Sequence, residues 1–124
     1  MGNIKSYKDL IVWQKAMKLA KTIYTITKKF PKEEIYGLTS QLRRAAVSVA
    51  CNIAEGQARN STGEFKQFLG ISKGSLAELE TLLLLSNDLN LISSSELEEI
   101  TIITDEVGKL LSGLLKSLKT TTNH

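Results

Sequence analysis

Apolar residues recur every three or four positions along four long segments of the chain, and this spacing limits the possible folds more than any other feature. A repeat close to 3.6 residues places the apolar side chains on one face of an α-helix. The pattern predicts helices over about residues 9–30, 37–58, 62–89 and 95–119. Because no segment shows the alternation typical of a β-strand, the chain is predicted to be all-α.

The last predicted helix keeps a heptad spacing, which is typical of helices packed nearly parallel or antiparallel to their neighbours. Its apolar seam consists of Leu97, Ile100, Thr104, Val107, Leu111, Leu114 and Leu118. Short linkers between long helices make successive helices antiparallel. We therefore predict one domain over residues 1–124, an antiparallel up-down-up-down four-helix bundle.

Several residues mark the predicted helix ends. Pro31 pushes the preceding residue out of helical geometry and ends the first helix. The third and fourth helices open on capping boxes, in which a serine is followed three residues later by a glutamate. These boxes are Ser61 with Glu64 and Ser95 with Glu98. Left-handed residues that terminate the second and third helices are predicted at Asn60 and Asn90.

The composition is that of a globular protein, with 42% apolar and 23% charged residues. The lone Cys51 cannot form an internal disulfide, and no apolar run approaches the roughly 18–20 residues of a membrane span. The first residues enter a charged helical pattern at once and do not resemble a signal peptide. We therefore expect a cytoplasmic protein.

The sequence offers little material for catalysis. Its single histidine, His124, is the last residue, so neither a zinc site nor a di-iron site with Glu-x-x-His motifs can be assembled. Gly70 and Gly74 lie inside a helical pattern and are interpreted as relieving crowding between helices. Cys51 has no histidine to activate it and is interpreted as a small packing residue. We expect no enzyme activity, no bound metal and no cofactor.

Charge is divided unevenly along the chain, although the net charge is only +3. Residues 1–60 carry 11 Lys and Arg against 4 Asp and Glu, and residues 61–124 carry 5 against 9. The asymmetry indicates either an anion-binding face or basic and acidic helices that lie side by side and neutralise each other. The candidate nucleic-acid contacts are Arg43, Arg44, Arg59, Lys15, Lys18 and Lys21.

A line of polar residues follows one face of the second predicted helix, with spacings of three and four. It consists of Gln41, Arg44, Ser48, Asn52, Glu55 and Arg59. Ser48 and Asn52 are short, and Asn is a poor helix former, so a merely solvated face does not account for them. Two interpretations stay open. The line is a buried hydrogen-bond network that joins helices or subunits, or Arg44 and Arg59 contact nucleic acid. Arg43, one residue along, fits either interpretation.

The run Leu82–Leu85 is apolar on nearly every side of one helical turn. A bundle of this size cannot bury four such leucines within one chain, so part of the run should contact another subunit. The predicted oligomer interface consists of Leu82, Leu85, Gln41, Ser48, Asn52 and Glu55.

Three stretches of the sequence carry a family likeness. They are Asp9-Leu10 with Val12–Gln14, Tyr36–Ala46 continuing through Ser48 to Asn52–Gly56, and Gly74–Thr81. Over about residues 6–119 the chain resembles the bacterial four-helix-bundle family of 23S ribosomal RNA intervening-sequence proteins. The accessory proteins of diversity-generating retroelements are similar and look like a related branch.

The resemblance implies a four-helix bundle that assembles as a ring-like homopentamer. It also implies a nucleic-acid role, because members are encoded inside ribosomal RNA inserts and the retroelement branch binds nucleic acid and a reverse transcriptase. This sequence departs from the family pattern at Ala50, where members commonly have proline, and at Cys51, where they commonly have serine. The second helix is therefore expected to be straighter than theirs.

These features predict a non-enzymatic homo-oligomeric scaffold that binds RNA or DNA through a multivalent basic surface. The alternative is a protein-interaction adaptor, in which the assembled subunits recruit a protein partner without contacting nucleic acid directly. The apolar residues Leu82–Leu85, Ile102 and Ile103 fit a surface for self-association under either prediction.

Overall fold

The structure, a computed structural model, describes residues 6–121 and contains four α-helices. They are α1 (Ile11–Thr27), α2 (Leu38–Gln57), α3 (Thr62–Asp88) and α4 (Ser94–Thr121). Two short 3₁₀ turns, Tyr7–Asp9 and Lys32–Glu34, precede α1 and α2. There is no β-strand among these residues, and the all-α prediction is confirmed.

The four helices form a closed ring of contacts. Each helix packs against its two neighbours, in the order α1, α2, α3, α4 and back to α1, and no diagonal pair of helices is in backbone contact within residues 6–121. This arrangement confirms the up-down-up-down bundle. The fully buried side chains at its centre come from all four helices: Leu19, Ile23, Leu42, Ile53, Leu69, Leu79, Ile100 and Leu111. Burial of each such side chain stabilises the fold by about 1.5–3 kcal/mol.

The first helix is shorter at both ends than its sequence pattern predicts. Asp9 belongs to the preceding 3₁₀ turn, where its carboxylate accepts a hydrogen bond from the backbone N–H of Ser6. At the other end α1 stops at Thr27, because the N–H of Phe30 bonds three residues back to the Thr27 carbonyl. Phe30 still reaches the core, so the apolar pattern continues past the end of the helix.

The turns around α3 confirm two of the predicted signals and correct a third. Ser61 caps α3 by accepting a hydrogen bond from the backbone N–H of Glu64 at 3.1 Å. Asn90 adopts the predicted left-handed conformation, with φ of 63°. Asn60 does not, because Asn90 is the one non-glycine residue with positive φ in the described chain. The chain leaves α2 through a right-handed Ala58 instead.

The capping box of α4 lies two residues earlier than predicted. Its members are Ser93 and Glu96 rather than Ser95 and Glu98, and each side chain accepts a hydrogen bond from the other residue's backbone N–H. Glu96 also pairs with Lys29 at the end of α1. The hydrogen bond from Lys29 and that from the Ser93 backbone lower the pKa of the Glu96 carboxyl. The Ser-x-x-Glu spacing occurs both at Ser93 with Glu96 and at Ser95 with Glu98. The ion pair of Glu96 with Lys29 favours the first of these two capping boxes.

The closest helix approach is between α2 and α3. A β-carbon built at Gly56 would lie 2.7 Å from the β-carbon of Phe68. Near the middle of the same contact the buried Ser72 hydroxyl donates a 2.8 Å hydrogen bond to the Val49 carbonyl. Gly70 and Gly74, predicted to relieve crowding, are exposed with nothing within 4 Å of a β-carbon built at either. The residue that permits close approach is therefore Gly56.

Replacing Gly56 with alanine should lower the free energy of unfolding by roughly 1–3 kcal/mol, because a β-carbon fixed to α2 cannot avoid one fixed to α3 without moving a helix. The matched control is Gly70→Ala, which should raise the free energy of unfolding by about 0.5–1 kcal/mol, since alanine loses less backbone entropy in an open helical position. Urea unfolding followed by circular dichroism measures both. A Gly56→Ala protein as stable as the unchanged protein would contradict the close packing of α2 on α3.

None of the helices within residues 6–121 is both long enough and apolar enough to cross a membrane.

Candidate nucleic-acid interface

A surface groove of about 400 Å³ lies between the C-terminal half of α1 and the N-terminal half of α2. Its lining consists of Tyr24, Ile35, Thr39, Ser40, Arg43, Arg44 and Val47. The groove exists because the apolar face of α1 ends near Thr27 and the 3₁₀ turn Lys32–Glu34 carries the chain around to α2. It combines aromatic, aliphatic and cationic side chains with no carboxylate in the lining.

Arg43 lines this groove and contacts two residues of α1. Its Nε donates a 2.9 Å hydrogen bond to the Thr27 hydroxyl, and its guanidinium carbon lies 4.5 Å from the centre of the Tyr24 ring. Thr27 is buried, and its hydroxyl donates in turn to the Ile23 carbonyl. Arg43 therefore joins α2 to α1 as well as adding positive charge. A guanidinium has five N–H donors, so donors are left to meet an anion.

Arg44 is the more accessible of the two arginines. It is exposed, and its Nη2 donates a 3.1 Å hydrogen bond to the hydroxyl of Ser40, one turn earlier on α2. No ion pair forms at Arg43 or Arg44 among the described residues. An unneutralised guanidinium beside an open groove favours binding of a phosphate or carboxylate group.

Two lysines extend the positive charge into an adjoining depression of about 230 Å³. It shares Ile35, Thr39 and Arg43 with the first groove and adds Lys28 and Lys32 to the lining. Neither lysine has an ion-pair partner in the described chain. We call the two depressions together the α1–α2 groove. Four cations therefore line the α1–α2 groove, and none of its lining residues is acidic.

The six predicted cationic contacts do not form a single surface. Arg43 and Arg44 line the α1–α2 groove. At about 100° per residue, Lys21 lies about 60° around α1 from Tyr24, whereas Lys18 lies about 120° away and Lys15 on the opposite side. Lys15 accordingly pairs with Glu106 of α4 at 3.4 Å. Of these three lysines, Lys21 alone is placed near the groove.

Arg59 is separated from the groove by most of α2. At 1.5 Å per residue it is roughly 22 Å along the helix axis from Arg44. Its guanidinium contacts the carboxylates of Glu55, at 2.9 Å, and Glu64, at 3.8 Å, and lies 4.8 Å from the centre of the Phe68 ring. Its charge is therefore neutralised locally, and its contacts are those of a residue that secures the α2–α3 turn.

The polar line along α2 serves partly as a link between helices. The Ser48 hydroxyl lies 2.8 Å from that of Ser75 on α3, and the Asn52 amide donates to both the carbonyl and the hydroxyl of Ser48. Gln41, Arg44 and Glu55 lie toward the ends of the line and make no hydrogen bond of this kind to another helix within residues 6–121. Within one chain, the middle of the line is therefore a hydrogen-bond network between α2 and α3, and it is half-buried rather than buried as predicted.

The same contacts place the predicted interface residues on one face. With Ser48 opposite Ser75 in antiparallel helices, the turn that holds Gln41 lies opposite the turn that holds Leu82 and Leu85. Asn52 correspondingly lies opposite Ile71. We call this surface the α2–α3 face, defined by Gln41, Ser48, Asn52, Glu55, Ile71 and Leu85. On α2 this face adjoins the α1–α2 groove, because the groove residue Arg44 lies only about 40–60° around the helix from Ser48 and Gln41.

Within the leucine run, the structure corrects the position of Leu82. Leu82 and Leu83 are buried in the core of the single chain, and Leu84 and Leu85 are exposed. Leu82 cannot offer an exposed side chain to another subunit, because it already packs between helices. The positions of the run that are open to a second subunit are therefore Leu84 and Leu85.

Cys51 is also placed differently from its interpretation. It is exposed on α2, so it does not pack in the core of the chain. Among the described residues there is no cluster of His, Cys, Asp and Glu that could hold a metal ion. His124 lies outside the described residues.

Sequence reasoning missed the aromatic and lysine components of the α1–α2 groove. Tyr24 follows the apolar stripe of α1, a pattern that predicts a core residue, but its side chain is 43% exposed. The sequence did contain one indication of the groove. Lys21 is three residues before Tyr24 and Lys28 is four after it, and this spacing places both lysines beside the tyrosine on the helix surface. Lys32 and Ile35 come from the turn, whose path the periodicity does not reveal.

A protein-family sequence model described as 23S rRNA-intervening sequence protein matches residues 8–113 of the chain. The match spans the α1–α2 groove, the α2–α3 face and most of α4. The chain belongs to this family. The resemblance identified from its sequence motifs is thereby confirmed.

The fold of this intervening-sequence protein is similar to a crystal structure at 1.70 Å resolution from Bacteroides thetaiotaomicron, a protein of unknown function from the S23 ribosomal protein family. The two chains are 25% identical, with a TM-score of 0.77. The similarity covers 86% of the intervening-sequence protein and 99% of the other chain. No curated protein sequence matches the chain.

Proposed function

We propose that this intervening-sequence protein is a non-enzymatic homo-oligomeric scaffold that binds RNA or DNA through a basic surface repeated in every subunit. The observation that carries the proposal is the α1–α2 groove, where Lys28, Lys32, Arg43 and Arg44 meet without a carboxylate in the lining. Other cations of the bundle, such as Lys15 and Arg59, are paired with carboxylates. The α1–α2 groove thus brings together, at an open surface that a polyanion can reach, four cations that form no ion pair within residues 6–121.

Repetition of the groove gives the proposal its physical basis. Four cations on one small subunit hold a phosphate backbone weakly, because each contact at physiological salt contributes little. When several grooves are linked in one oligomer, binding of the nucleic acid to the first groove makes its binding to the others intramolecular. The overall affinity therefore rises. A homopentamer, as the family resemblance implies, would repeat the groove in each subunit. The family's description refers to a ribosomal RNA, which agrees with an RNA ligand.

The α2–α3 face supports self-association. Ile71 and Leu85 are 47% and 44% exposed there, beside polar groups that can pair across an interface. The apolar residues of this face, Ile71 and Leu85, belong to α3 and do not line the α1–α2 groove. We propose that association uses these α3 residues, so that the groove stays available for nucleic acid in the assembly.

Binding to RNA should weaken steeply as salt rises, with a log–log slope of about −0.9 for each phosphate neutralised on a duplex. The double variant Lys28→Gln with Arg44→Gln should bind more weakly, and its slope should be smaller in magnitude by about 1 for each phosphate that it no longer neutralises. Lys15→Gln is the matched control, since Lys15 lies on the far side of α1 and is paired with Glu106. Fluorescence anisotropy over a salt series measures the affinities and the slopes.

Absence of binding at micromolar protein and low salt would contradict the proposal. The adaptor function would then be favoured by a separate observation, the exposed apolar side chains of Leu84 on α3 and Ile102 on α4. An assembly that stays intact and captures a protein through these residues, with no affinity for RNA or DNA, would identify the chain as an adaptor.

A further inference from the structure

The α1–α2 groove contains more aromatic surface than a site for phosphate alone requires. Tyr24 lines the groove with its side chain 43% exposed, and Arg43 contacts the ring as a cation. Tyr36 directly follows the groove-lining Ile35 and is 95% exposed. An aromatic side chain that is almost fully in water contributes next to nothing to the core of its own chain. One exposed tyrosine, Tyr24, therefore lines the cationic groove, and a second, Tyr36, is the next residue after the lining residue Ile35.

This combination has a specific meaning in nucleic-acid recognition. Bases of a single strand present their faces and stack on aromatic side chains, while basic groups follow the phosphates. A regular duplex keeps its base faces inside its own stack, so it gains charge contacts and no aromatic ones. The neighbouring Arg43 adds a planar cation against which a base can also stack.

We propose that the α1–α2 groove selects unpaired nucleotides, with a base stacked on Tyr24 or Tyr36 and the adjacent phosphates held by Arg44 and Lys28. This inference rests on the proposed function and narrows it from nucleic acid in general to single-stranded segments. The chemistry recognised, an exposed base beside a phosphate, is common to RNA and DNA.

The test compares three probes on the full chain at fixed salt: an unstructured single-stranded RNA, the DNA of the same sequence, and the RNA paired with its complement. Single strands should bind more tightly than the duplex. Tyr24→Leu and Tyr36→Leu remove the ring but keep apolar volume, and together they should weaken single-strand binding about tenfold or more. Duplex binding should stay unchanged, whereas Arg44→Gln should weaken all three probes alike.

A second measurement reports contact directly. Single strands containing 5-iodouracil should cross-link on irradiation to Tyr24 or Tyr36, which mass spectrometry of the digested chain identifies. Variants are first compared with the unchanged chain by circular dichroism, so that loss of folding is not mistaken for loss of stacking.

The results separate this inference from the function on which it rests. Equal affinity for single strand and duplex, with both tyrosine variants unchanged and no cross-link to either ring, would overturn the single-strand inference and leave the basic scaffold intact. Displacement of the RNA by polyglutamate at the same charge concentration would indicate a general anion site and would also overturn it. Failure to bind any of the three probes would overturn the inference and the proposed function together.

Discussion

Replacing Ile71 and Leu85 with lysine is expected to convert the proposed oligomer into single chains with a mass near 13.7 kDa. Both side chains are exposed on the α2–α3 face, where the proposed association would bury them. Removal of one such side chain from water contributes on the order of 1.5–3 kcal/mol, and a lysine in its place brings a charge that is costly to bury. Since every subunit of the proposed oligomer carries the change, the loss of interface free energy is repeated at each contact between subunits.

Light scattering coupled to size exclusion measures the mass, and circular dichroism confirms that the chains stay helical. The matched control is Leu84→Lys with Ile102→Lys, an equal change of charge at two exposed apolar residues outside the α2–α3 face. This control should remain assembled. If the control dissociates and the Ile71 and Leu85 variant does not, the interface includes Leu84 or Ile102 and not the α2–α3 face. If the protein without substitutions already has the mass of a single chain, the proposed oligomer is wrong.

The same dissociated variant is expected to lose affinity for a long single-stranded RNA by about 100-fold or more, although its α1–α2 groove is untouched. Linked sites raise affinity by roughly 10²–10⁴-fold without any new contact, and separating the subunits removes that gain. A short RNA that spans one groove should bind the variant and the unchanged protein equally well. Anisotropy titrations with the two RNA lengths separate multivalency from damage to the groove.

Equal loss for short and long RNA would mean that the substitutions disturb the groove itself. No loss for either would mean that one subunit carries all the binding energy. The second result would retain a nucleic-acid-binding protein but reject a surface built from several copies.

The helices could be predicted well from the sequence because long amphipathic segments leave few alternatives, and all four lie within a few residues of their expected bounds. Helix ends are harder to predict, because neighbouring residues often offer more than one possible capping motif. Two serine–glutamate pairs overlap at the start of α4, and the Ser93 pair is favoured by a lysine that is distant in sequence, Lys29. The left-handed position shows the same ambiguity, with Asn90 adopting it and Asn60 not.

The arginines of the candidate site could be predicted from the sequence, but the groove that they line could not. Periodicity gives the direction of a side chain around its own helix, but its neighbours depend on how helices pack. Arg43 and Arg59 are equivalent in sequence terms, yet one lies in an open groove and the other between two glutamates. Leu82 and Leu85 likewise differ only in their angle around α3, which decides that one is buried and the other exposed.

The two adjacent arginines of α2 differ in a way that affects how sequence variation in this family should be interpreted. Arg43 bonds the buried Thr27 and covers Tyr24, so folding alone would preserve an arginine at that position in relatives that bind nothing. Arg44 contacts the half-buried Ser40, one turn earlier on its own helix, and this bond does not join α2 to another helix. An arginine retained at position 43 in relatives would therefore indicate that they share this packing of α2 on α1. An arginine retained at position 44 would indicate selection for binding of a ligand. Relatives that keep the first arginine and vary the second are the ones in which a different ligand should be sought.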